Sequence, residues 1–469
     1  MFAVAVALLA WTSTPGCGVD ESILLPAQFS ETPPPDESSV LARFAVISDT
    51  QCLDEESPAR FAGAVAYIPS AWRPHEAYTT QLFDGAVRAV NRIHHSGRTI
   101  DFALHTGDLC DNAQMNELQW ALTVMDGGQI DPRSGPDDRS PDQLPPPELD
   151  PHAPFAAQGL YRHGIHGPRP SIPWYVVFGN HDAFALGTFP IVESITGARR
   201  APLPLEGRPG ILLPVILNPV GFLAHGNVTP AMPGPPTFLE VPRVVTQNPG
   251  RRFFNKGEFI AAMYRTQTDP PGHGLTDDPS APTWYSVAPM PGLRLIGLDT
   301  SDVPVPVPGF PYSEGAVSIA QSRFLLRELQ RASDRGELVI VASHHPSHCL
   351  QSIYGSVLSE PSLQSLLNEF PNVIVHLAGH THRHRVTDRG GYLEIETASL
   401  LDWPQEGRLI EIYRDPTSAA VHIAYETINH LDDSLPPLGE DPLLELRAEA
   451  HRRADPINLL PAHPSPDLR

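Results

Sequence analysis

The sequence predicts an α/β (α+β) fold with long proline-rich loop insertions, and three observations indicate that class. Short apolar runs rich in Val, Ile, Leu and aromatic residues recur along the chain and are typical of buried strands. An amphipathic pattern over Ser318 to Ala332 predicts a surface helix between two of these runs. The prolines are concentrated in a few stretches, where a residue without a backbone donor excludes central strands and helix interiors.

Five apolar runs are predicted to be strands. They are Phe44 to Ser48, Phe102 to His105, Trp174 to Phe178, Leu338 to Ala342 and Val373 to Leu377. A polar cluster follows each of them. The clusters are Asp49-Thr50-Gln51, Gly107-Asp108, Gly179-Asn180-His181-Asp182, His344-His345-Pro346 and Gly379-His380-Thr381-His382. Because ligands in α/β enzymes gather at the carboxyl ends of strands, the five clusters together predict a two-metal site that cleaves phosphoesters.

The domain organisation is predicted from composition and motif positions. Residues 1–17 are interpreted as a signal or lipoprotein segment, 18–40 as a proline-rich linker, 41–430 as the catalytic domain and 431–469 as an acidic, proline-rich tail. Insertions at about 127–170 and 186–282 are expected to cap the pocket and set substrate choice. Within the tail, Pro442 to Ala454 is a helix candidate.

The amino terminus favours export. The apolar run Phe2 to Ala10 is far shorter than the ~20 residues that span a bilayer. Cys17 lies in a stretch that resembles a bacterial lipoprotein processing site, so we expect an exported protein that is periplasmic or anchored to the membrane through lipid on Cys17. No Lys or Arg precedes the apolar run, which leaves two alternatives: a true start further upstream, or a merely poorly ordered end.

The charge of the chain argues against a nucleic-acid partner. Lys and Arg number 32 against 54 acidic residues, the formal net charge is −22, and Lys256 is the only lysine. Such a chain repels a polyphosphate backbone at long range, so we expect no nucleic acid as a partner. A small anionic substrate remains compatible, because bound dications can dominate the local field. The sequence makes no prediction about oligomeric state.

The first metal is predicted to be held by Asp49, Gln51 and His382. Two adjacent cations repel each other, so they require a shared carboxylate, and Asp108 is the predicted bridge. Gly107 permits the tight turn before it. Asp49 and Gln51 are two residues apart on an extended segment and therefore point the same way.

The second metal is predicted to be held by Asn180, His344 and His380. Alternation along an extended segment places His380 and His382 on one face, so that one segment of the chain provides a ligand to each ion. Four further histidines in these segments are expected to support the site or lie at the surface: His345, His348, His376 and His384.

His181 is the predicted catalytic acid. It lies beside the second metal, where it could stabilise or protonate the leaving oxygen, with Asp182 orienting its ring. The predicted nucleophile is a hydroxide that bridges the two metals. Such a mechanism requires no covalent enzyme intermediate.

These motifs resemble those of the calcineurin-like metallophosphoesterases, whose pattern reads D-x-H, G-D, G-N-H-D/E, a histidine in an H-x-P setting, and G-H-x-H. The resemblance extends over roughly Leu41 to Tyr413. It implies a four-layer fold of two packed mixed β-sheets flanked by helices, with the metals at one edge of the sandwich.

Gln51 departs from the family pattern, which has histidine there. A similar glutamine occurs in the manganese-dependent ADP-ribose and CDP-alcohol diphosphatase branch. An amide oxygen is a harder ligand than imidazole, so the two divalent metals are expected to be Mn²⁺ or Fe²⁺, with Zn²⁺ as the alternative. Gln51 could instead leave the first metal weakly held.

Two alternative roles are open for each of several further residues. The stretch around Trp403 and Arg408 resembles a bacterial, largely uncharacterised branch of the superfamily, so these residues either line the substrate pocket or serve ordinary packing. Cys52, Cys110 and Cys349 either include a disulfide pair or are small buried residues beside the site.

The predicted function is that of a phosphodiesterase or a nucleotide pyrophosphatase-like enzyme acting on a small anionic phosphoester. The alternatives are a phosphomonoesterase of the same fold and a metal-binding scaffold without turnover. A mononuclear zinc peptidase would need a motif such as H-E-x-x-H, and the sequence has none.

Overall fold

The computed structural model describes residues 37–55, 57, 73–134, 150–160, 172–193, 199–200, 248–302, 313–351, 357–414, 421–432, 434 and 441–455. The predictions for the amino-terminal segment and for Cys17 lie outside these residues. Within them, no helix combines the length and the apolar character needed to cross a bilayer.

The described residues form the following helices and strands. The α-helices are α1 (Thr79–His95), α2 (Met115–Asp126), α3 (Asn180–Ala183), α4 (Lys256–Met263), α5 (Ile319–Asp334), α6 (Glu360–Asn368) and α7 (Leu444–Ala454). Short 3₁₀ turns span Glu37–Ser39, Glu76–Tyr78, Pro249–Arg251, Pro271–Gly274 and Ser347–Cys349. The strands are β1 (Val40–Ile47), β2 (Phe102–His105), β3 (Gly128–Ile130), β4 (Phe155–Ala157), β5 (Trp174–Val176), β6 (Phe184–Ala185), β7 (Phe189–Pro190), β8 (Val192–Glu193), β9 (Arg199–Arg200), β10 (Tyr285–Met290), β11 (Leu293–Leu298), β12 (Leu338–Ser343), β13 (Val373–Ala378), β14 (Arg385–Asp388), β15 (Leu393–Glu396), β16 (Glu406–Arg414) and β17 (Val421–Asn429).

Two large mixed sheets form the centre of the fold. The first has the order β17-β16-β1-β2-β5, in which β1, β2 and β5 are parallel and β16 and β17 are antiparallel to their neighbours. The second has the order β10-β11-β12-β13-β15-β14, with a parallel centre and an antiparallel strand at each edge. The prediction of two mixed sheets is confirmed.

The sheets pack face to face, and helices cover their outer faces. Phe44 of β1 and Ile340 of β12 belong to one continuous apolar core that also includes residues of α1 and α2. The neighbouring Val341 points to the opposite face, where it packs with Leu325 of α5 and Leu363 of α6. This alternation follows from the two-residue period of a strand. The predicted four-layer α/β arrangement is therefore present.

The boundaries of the predicted elements are close to the observed ones. Strand β2 has the predicted ends, whereas β5 ends at Val176, two residues before the predicted end. Helix α5 begins after Ser318, whose side chain accepts a hydrogen bond from the backbone amide of Gln321. This N-cap satisfies a donor that the first turn leaves without an intrahelical partner.

The predicted helix of the carboxyl-terminal tail is also present, as α7. Leu446 and Ala450 on this helix are buried in the same core as α1. Arg447 is buried and its guanidinium pairs with Asp441. The domain boundaries stay a prediction.

Cys52 and Cys110 are free thiols. Both are completely buried, and they face each other as partners of an isolated parallel bridge between the loops after β1 and β2. Cys349 is buried as well. For the first two cysteines the structure thus agrees with the alternative of small buried residues beside the site.

Candidate metal centre

Five loops that leave strands β1, β2, β5, β12 and β13 at their carboxyl ends meet at one edge of the sandwich. Backbone hydrogen bonds join them: the amide of Asp49 donates to the carbonyl of Gly107 at 3.1 Å, and the amide of Gly379 donates to the carbonyl of His344 at 2.9 Å. The amide of His380 donates to the Asp49 carboxylate at 3.1 Å. The fold therefore brings together the clusters that the sequence places far apart.

Five of the predicted ligands have a left-handed backbone. Their φ angles are 49° at Asp49, 39° at Gln51, 59° at Asp108, 68° at His380 and 56° at His382. A side chain in this region costs about 1–3 kcal/mol of backbone strain, so it persists only where the surrounding structure imposes it. Such strain is typical of functional sites, and here it turns the side chains of three loops toward one centre.

Asp108 lies at the middle of the cluster. Its Oδ1 accepts a hydrogen bond from the backbone amide of His181 at 2.8 Å. A Cβ at Gly179 would lie 2.0 Å from this oxygen, so the loop after β5 can approach Asp108 only with glycine there. Oδ2 accepts from the Gln51 amide at 3.3 Å and lies 3.1 Å from His344 Nε2.

The orientation of the His344 ring is suitable for a metal ligand. Its Nδ1 lies 2.8 Å from the carbonyl of Thr106 and must donate to it, which leaves the lone pair of the neutral ring on Nε2. That nitrogen lies 3.1 Å from Asp108 and 3.8 Å from Asp49. Burial lowers the pKa of His344, but the carboxylates of Asp108 and Asp49 outweigh burial and raise it to about 9. The site therefore favours a positive charge between these groups, which a dication would supply.

Gln51 presents a second group that suits a metal. Its Nε2 donates to Asp108, while its Oε1 is buried and accepts no hydrogen bond from any described residue. A buried amide oxygen without a donor is costly unless something else binds it. The oxygen is the atom that the sequence predicts as a ligand, so this orphaned acceptor agrees with the prediction.

Asn180 and His380 contact each other in the cluster. The Asn180 Nδ2 donates to the carbonyl of Gly187 at 2.9 Å, which turns its Oδ1 into the site. That oxygen lies 3.2 Å from Nδ1 of His380. The carboxylates, amide oxygens and imidazoles brought together here fit the donor set for two divalent ions.

His382 is oriented by a residue to which the sequence assigned no role. Its Nδ1 lies 2.6 Å from Oδ2 of Asp402, and its Nε2 lies 3.4 Å from Oδ1 of Asp49. Arg73 binds the same Asp402 carboxylate through two hydrogen bonds of 2.5 and 2.9 Å. A carboxylate behind a metal-binding imidazole fixes the tautomer and the direction of the ring. Asp402 follows no strand, so its position in the sequence gives no such signal.

The prediction for Asp182 needs a correction. Its carboxylate accepts hydrogen bonds from the backbone amides of Asp108, Gly179 and Cys110, at 2.9, 3.0 and 3.1 Å. Asp182 therefore clamps the loop after β2 to the loop after β5 and does not orient the His181 ring. Neighbours in sequence on a short helical turn point in different directions, which explains the difference.

Asp111 orients His181 instead. The ring Nδ1 lies 2.7 Å from the Asp111 carbonyl and 3.5 Å from its carboxylate. Burial lowers the pKa of His181, but Asp108 and Asp111 outweigh burial and raise it. With Nδ1 engaged, the proton of the imidazolium that is free for transfer is on Nε2.

Two of the four additional histidines near the site, His345 and His376, have partners on both ring nitrogens. His345 contacts the Thr300 hydroxyl at 2.7 Å and the Ser313 carbonyl at 2.9 Å. His376 contacts Ser343 at 2.7 Å and Glu394 at 2.9 Å. These supporting positions are the ones predicted for them.

Trp403 and Arg408 occupy different environments. Trp403 is 39% exposed and its ring lies 4.4 Å from that of His451 on α7. Arg408 is completely buried in β16, where its guanidinium donates to the Glu396 carbonyl and lies over the Tyr425 ring. These contacts indicate ordinary packing. Packing was the alternative to lining the substrate pocket.

Residues 42–256 match the family model described as calcineurin-like phosphoesterase. This part of the chain belongs to that family. The match confirms the resemblance drawn from the motifs and the prediction of a metal-dependent phosphoesterase. Because the match ends at residue 256, His344, His380 and His382 are assigned to the site by the fold.

The solved structures that are similar to this phosphoesterase have low sequence identity to it. A dimetal phosphatase from Danio rerio aligns over 83% of this chain and 99% of its own, at 15% identity and a TM-score of 0.43. A 5′-nucleotidase from Staphylococcus aureus aligns over 87% of this chain and 58% of its own, at 12% identity and a TM-score of 0.35. The sulfate thiohydrolase SoxB from Thermus thermophilus aligns over 90% and 61%, at 11% identity and a TM-score of 0.34. This chain thus spans less than two thirds of the latter two chains. No curated protein matches the sequence.

Gly187 leaves space for the His181 ring, and we expect the position of that ring to depend on a glycine there. It has a φ of 63°, and a Cβ there would lie 2.2 Å from the His181 ring. Replacing Gly187 with Ala should therefore displace the ring and lower kcat by about tenfold or more, because a catalytic group misplaced by ~1 Å loses much of its effect. Steady-state kinetics would measure this loss.

The matched control is Gly292→Ala. Gly292 also has a positive φ, 80°, but a Cβ at this residue would have no other atom within 4 Å. Both variants carry the backbone strain of alanine at positive φ, and only the first adds a clash. Equal kcat values in the two variants would contradict the role given to Gly187.

Asp402→Asn should weaken metal binding at His382. The neutral amide holds the ring less firmly and leaves the Arg73 guanidinium without its carboxylate, so we expect a roughly 10–100-fold loss of affinity for one ion. Titration calorimetry on the metal-stripped protein would measure this affinity. Asp432→Asn, at an exposed turn, is the control. Unchanged affinity in the Asp402 variant would contradict its positioning role.

Proposed function

We propose that this phosphoesterase is a dinuclear-metal-dependent hydrolase that cleaves phosphodiesters or the pyrophosphate bond of small nucleotide-like substrates. The observation that carries the two-metal part is the arrangement around Asp108, where Nε2 of His344 lies 3.1 Å from the carboxylate and the neighbouring Oε1 of Gln51 is buried without a donor among the described residues. A cation bound here would balance the buried carboxylates and bind the amide oxygen of Gln51.

The ligands divide into two sets that share Asp108. Asp49, Gln51 and His382 would hold one ion. A second ion would be held by Asn180, His344 and His380. When bound, two such dications supply a water that is deprotonated near neutral pH and bind the phosphoryl oxygens.

His181 would supply the proton for the leaving oxygen. Its raised pKa keeps the ring protonated to higher pH, and the Asp111 contact fixes Nδ1 so that Nε2 carries the transferable proton. Its side chain is 15% exposed, so it can reach a substrate from the edge of the cluster. The preference for diesters or pyrophosphates is supported by Gln51, which replaces the family's histidine as in a diphosphatase branch.

The proposal is tested by turnover of the metal-stripped protein after addition of Mn²⁺, Fe²⁺ or Zn²⁺. Three substrates distinguish the bond types: an aryl phosphomonoester, an aryl phosphodiester and a dinucleotide-type pyrophosphate. We expect metal-dependent cleavage that is fastest with the diester or the pyrophosphate. Fastest cleavage of the monoester would identify a phosphomonoesterase, and binding of metals without any turnover would indicate a scaffold.

Gln51→His tests the proposed metal preference. An imidazole at this position is a softer ligand than an amide oxygen, so the variant should shift activity from Mn²⁺ or Fe²⁺ toward Zn²⁺. The measurement is the ratio of kcat/KM with Zn²⁺ to that with Mn²⁺, in the variant and in the wild type. Full activity of the wild type with stoichiometric zinc would refute the preference.

We also propose export of the protein, with lipid attachment at Cys17, on the basis of the sequence around that residue. Mass spectrometry of the protein from a native membrane fraction would detect the added lipid. A protein that retains its unmodified amino-terminal segment would contradict this proposal.

A further inference from the structure

A second cluster of metal-ligating side chains lies outside the candidate dinuclear centre. Glu394 and Glu396 are two residues apart on β15 and point to the same face. His348 lies opposite them in the 3₁₀ turn Ser347–Cys349. One ligand atom from each of these three residues lies within 4.8 Å of the other two.

Two atoms of this cluster are buried without a hydrogen bond from any residue that the structure describes. They are Oε1 of Glu396 and Nδ1 of His348, and they lie 3.9 Å apart. The side chain of Glu396 is 2% exposed and that of His348 is 26% exposed. A buried carboxylate oxygen and a buried imidazole nitrogen left facing each other at this separation are each costly.

The surrounding cations do not satisfy the Glu396 oxygen. The nearest guanidinium, that of Arg385, lies 3.8 Å away, beyond hydrogen-bond distance, and is 54% exposed. Arg389 lies closer to Glu394, to which it donates at 2.7 Å. Glu394 also accepts from His376 at 2.9 Å and so is held in a fixed position.

We propose that His348, Glu394 and Glu396 form a third metal site, separate from the dinuclear centre, that binds a first-row transition-metal dication such as Zn²⁺. Ligand atoms around such an ion lie about 2.0–2.2 Å from it and hence roughly 3–3.5 Å from one another. The observed 3.9 Å between His348 and Glu396 requires a closure of only a few tenths of an ångström. One imidazole with two carboxylates suits Zn²⁺, Mn²⁺ or Fe²⁺ better than Ca²⁺ or Mg²⁺.

This site would connect two loops that carry ligands of the dinuclear centre. Thr381, between His380 and His382, donates to Oε2 of Glu396 at 2.8 Å. Ser347, next to His348, donates its backbone amide to Glu394 at 3.2 Å, and it follows the loop of His344. An ion bound here would therefore tie the loop after β12 to the loop after β13 and hold both in place beside the dinuclear centre.

The test is anomalous diffraction at the zinc edge from crystals of the whole protein equilibrated with Zn²⁺, together with metal analysis of the same protein in solution. We expect a third peak about 2.0–2.2 Å from His348 Nδ1 and from Glu396 Oε1. The solution measurement should give three zinc ions per chain. Only two peaks, both at the dinuclear centre, would overturn the proposal.

Two variants separate the third ion from the other two. Glu396→Gln and His348→Ala should each bind two zinc ions and should lose the third peak. Glu406→Gln, which changes another partly buried His–Glu pair with His384 at 3.3 Å, should still bind three. Three ions in both site variants, or loss of all ions from a variant that circular dichroism shows to be folded, would refute a separate site.

Discussion

Asp108→Asn should reduce turnover by at least ~10³-fold, equivalent to about 4 kcal/mol of transition-state stabilisation. The amide keeps the shape of Asp108 and one acceptor oxygen, which can still accept from the His181 backbone amide. It cannot act as a shared anion between two cations. Steady-state kinetics and metal analysis should therefore show joint loss of activity and of paired metal binding.

The metal-free form of this variant should be less stable than the metal-free wild type. Burial raises the pKa of the Asp108 carboxyl, but the imidazoles of His344 and His181 outweigh burial and hold that pKa well below its usual value, so the charge stabilises the folded state and the substitution removes it. Thermal unfolding in the presence of a chelator would measure the difference. Asp388→Asn, at an exposed position of β14, controls for the chemical change alone. An Asp108 variant that retains both ions and more than about a tenth of the activity would exclude Asp108 as the bridge.

His181→Ala should slow turnover by ~10²-fold or more while both metals remain bound, because it removes an acid and no ligand. That loss corresponds to about 2.7 kcal/mol. Its size should depend on the leaving group. A phosphodiester with an aryl leaving group needs little protonation, so the variant should lose less activity with it than with an alkyl diester.

The dependence on leaving group distinguishes catalysis from structural support. A variant that merely loosened the site would lose similar activity with both diesters. His422→Ala, at an exposed position of β17, provides the control for removal of a histidine. Loss of both ions from the His181 variant would mean that the residue supports metal binding and that its role was wrongly assigned.

Local patterns in the sequence were sufficient for the strands that end at the candidate metal centre and for the polar clusters that the fold brings together there. A run such as Phe102 to His105 is apolar on both faces because it lies inside a sheet covered on both sides. Asp108 follows this run after two residues, and polar residues in the loop after a buried strand lie at its carboxyl end in any fold of this class. The order of the polar clusters along the chain therefore follows from the sequence alone.

Asp299 shows that a position at the end of a strand does not by itself identify a metal ligand. It follows β11 as Asp108 follows β2, yet its carboxylate pairs with Lys256 at 2.6 Å and accepts from the backbone amide of Ser301 at 3.0 Å. The only lysine of the chain thus neutralises this acid. Nothing near Asp299 in the sequence distinguishes it from a ligand, because its partner is 43 residues away.

The sequence by itself determined the α/β class, the order along the chain of the strands that end at the candidate metal centre, and the residue types that can bind two metals, since these depend on composition and periodicity within a few residues. The four-layer architecture followed from the resemblance to a known family. Only the tertiary structure decided which side chains orient the residues of the site. Asp111, and not Asp182, holds the His181 ring, and Asp402 reaches His382 across 20 residues of chain. Such contacts depend on the direction of each side chain after the sheets have packed, and short-range patterns carry no information about that direction.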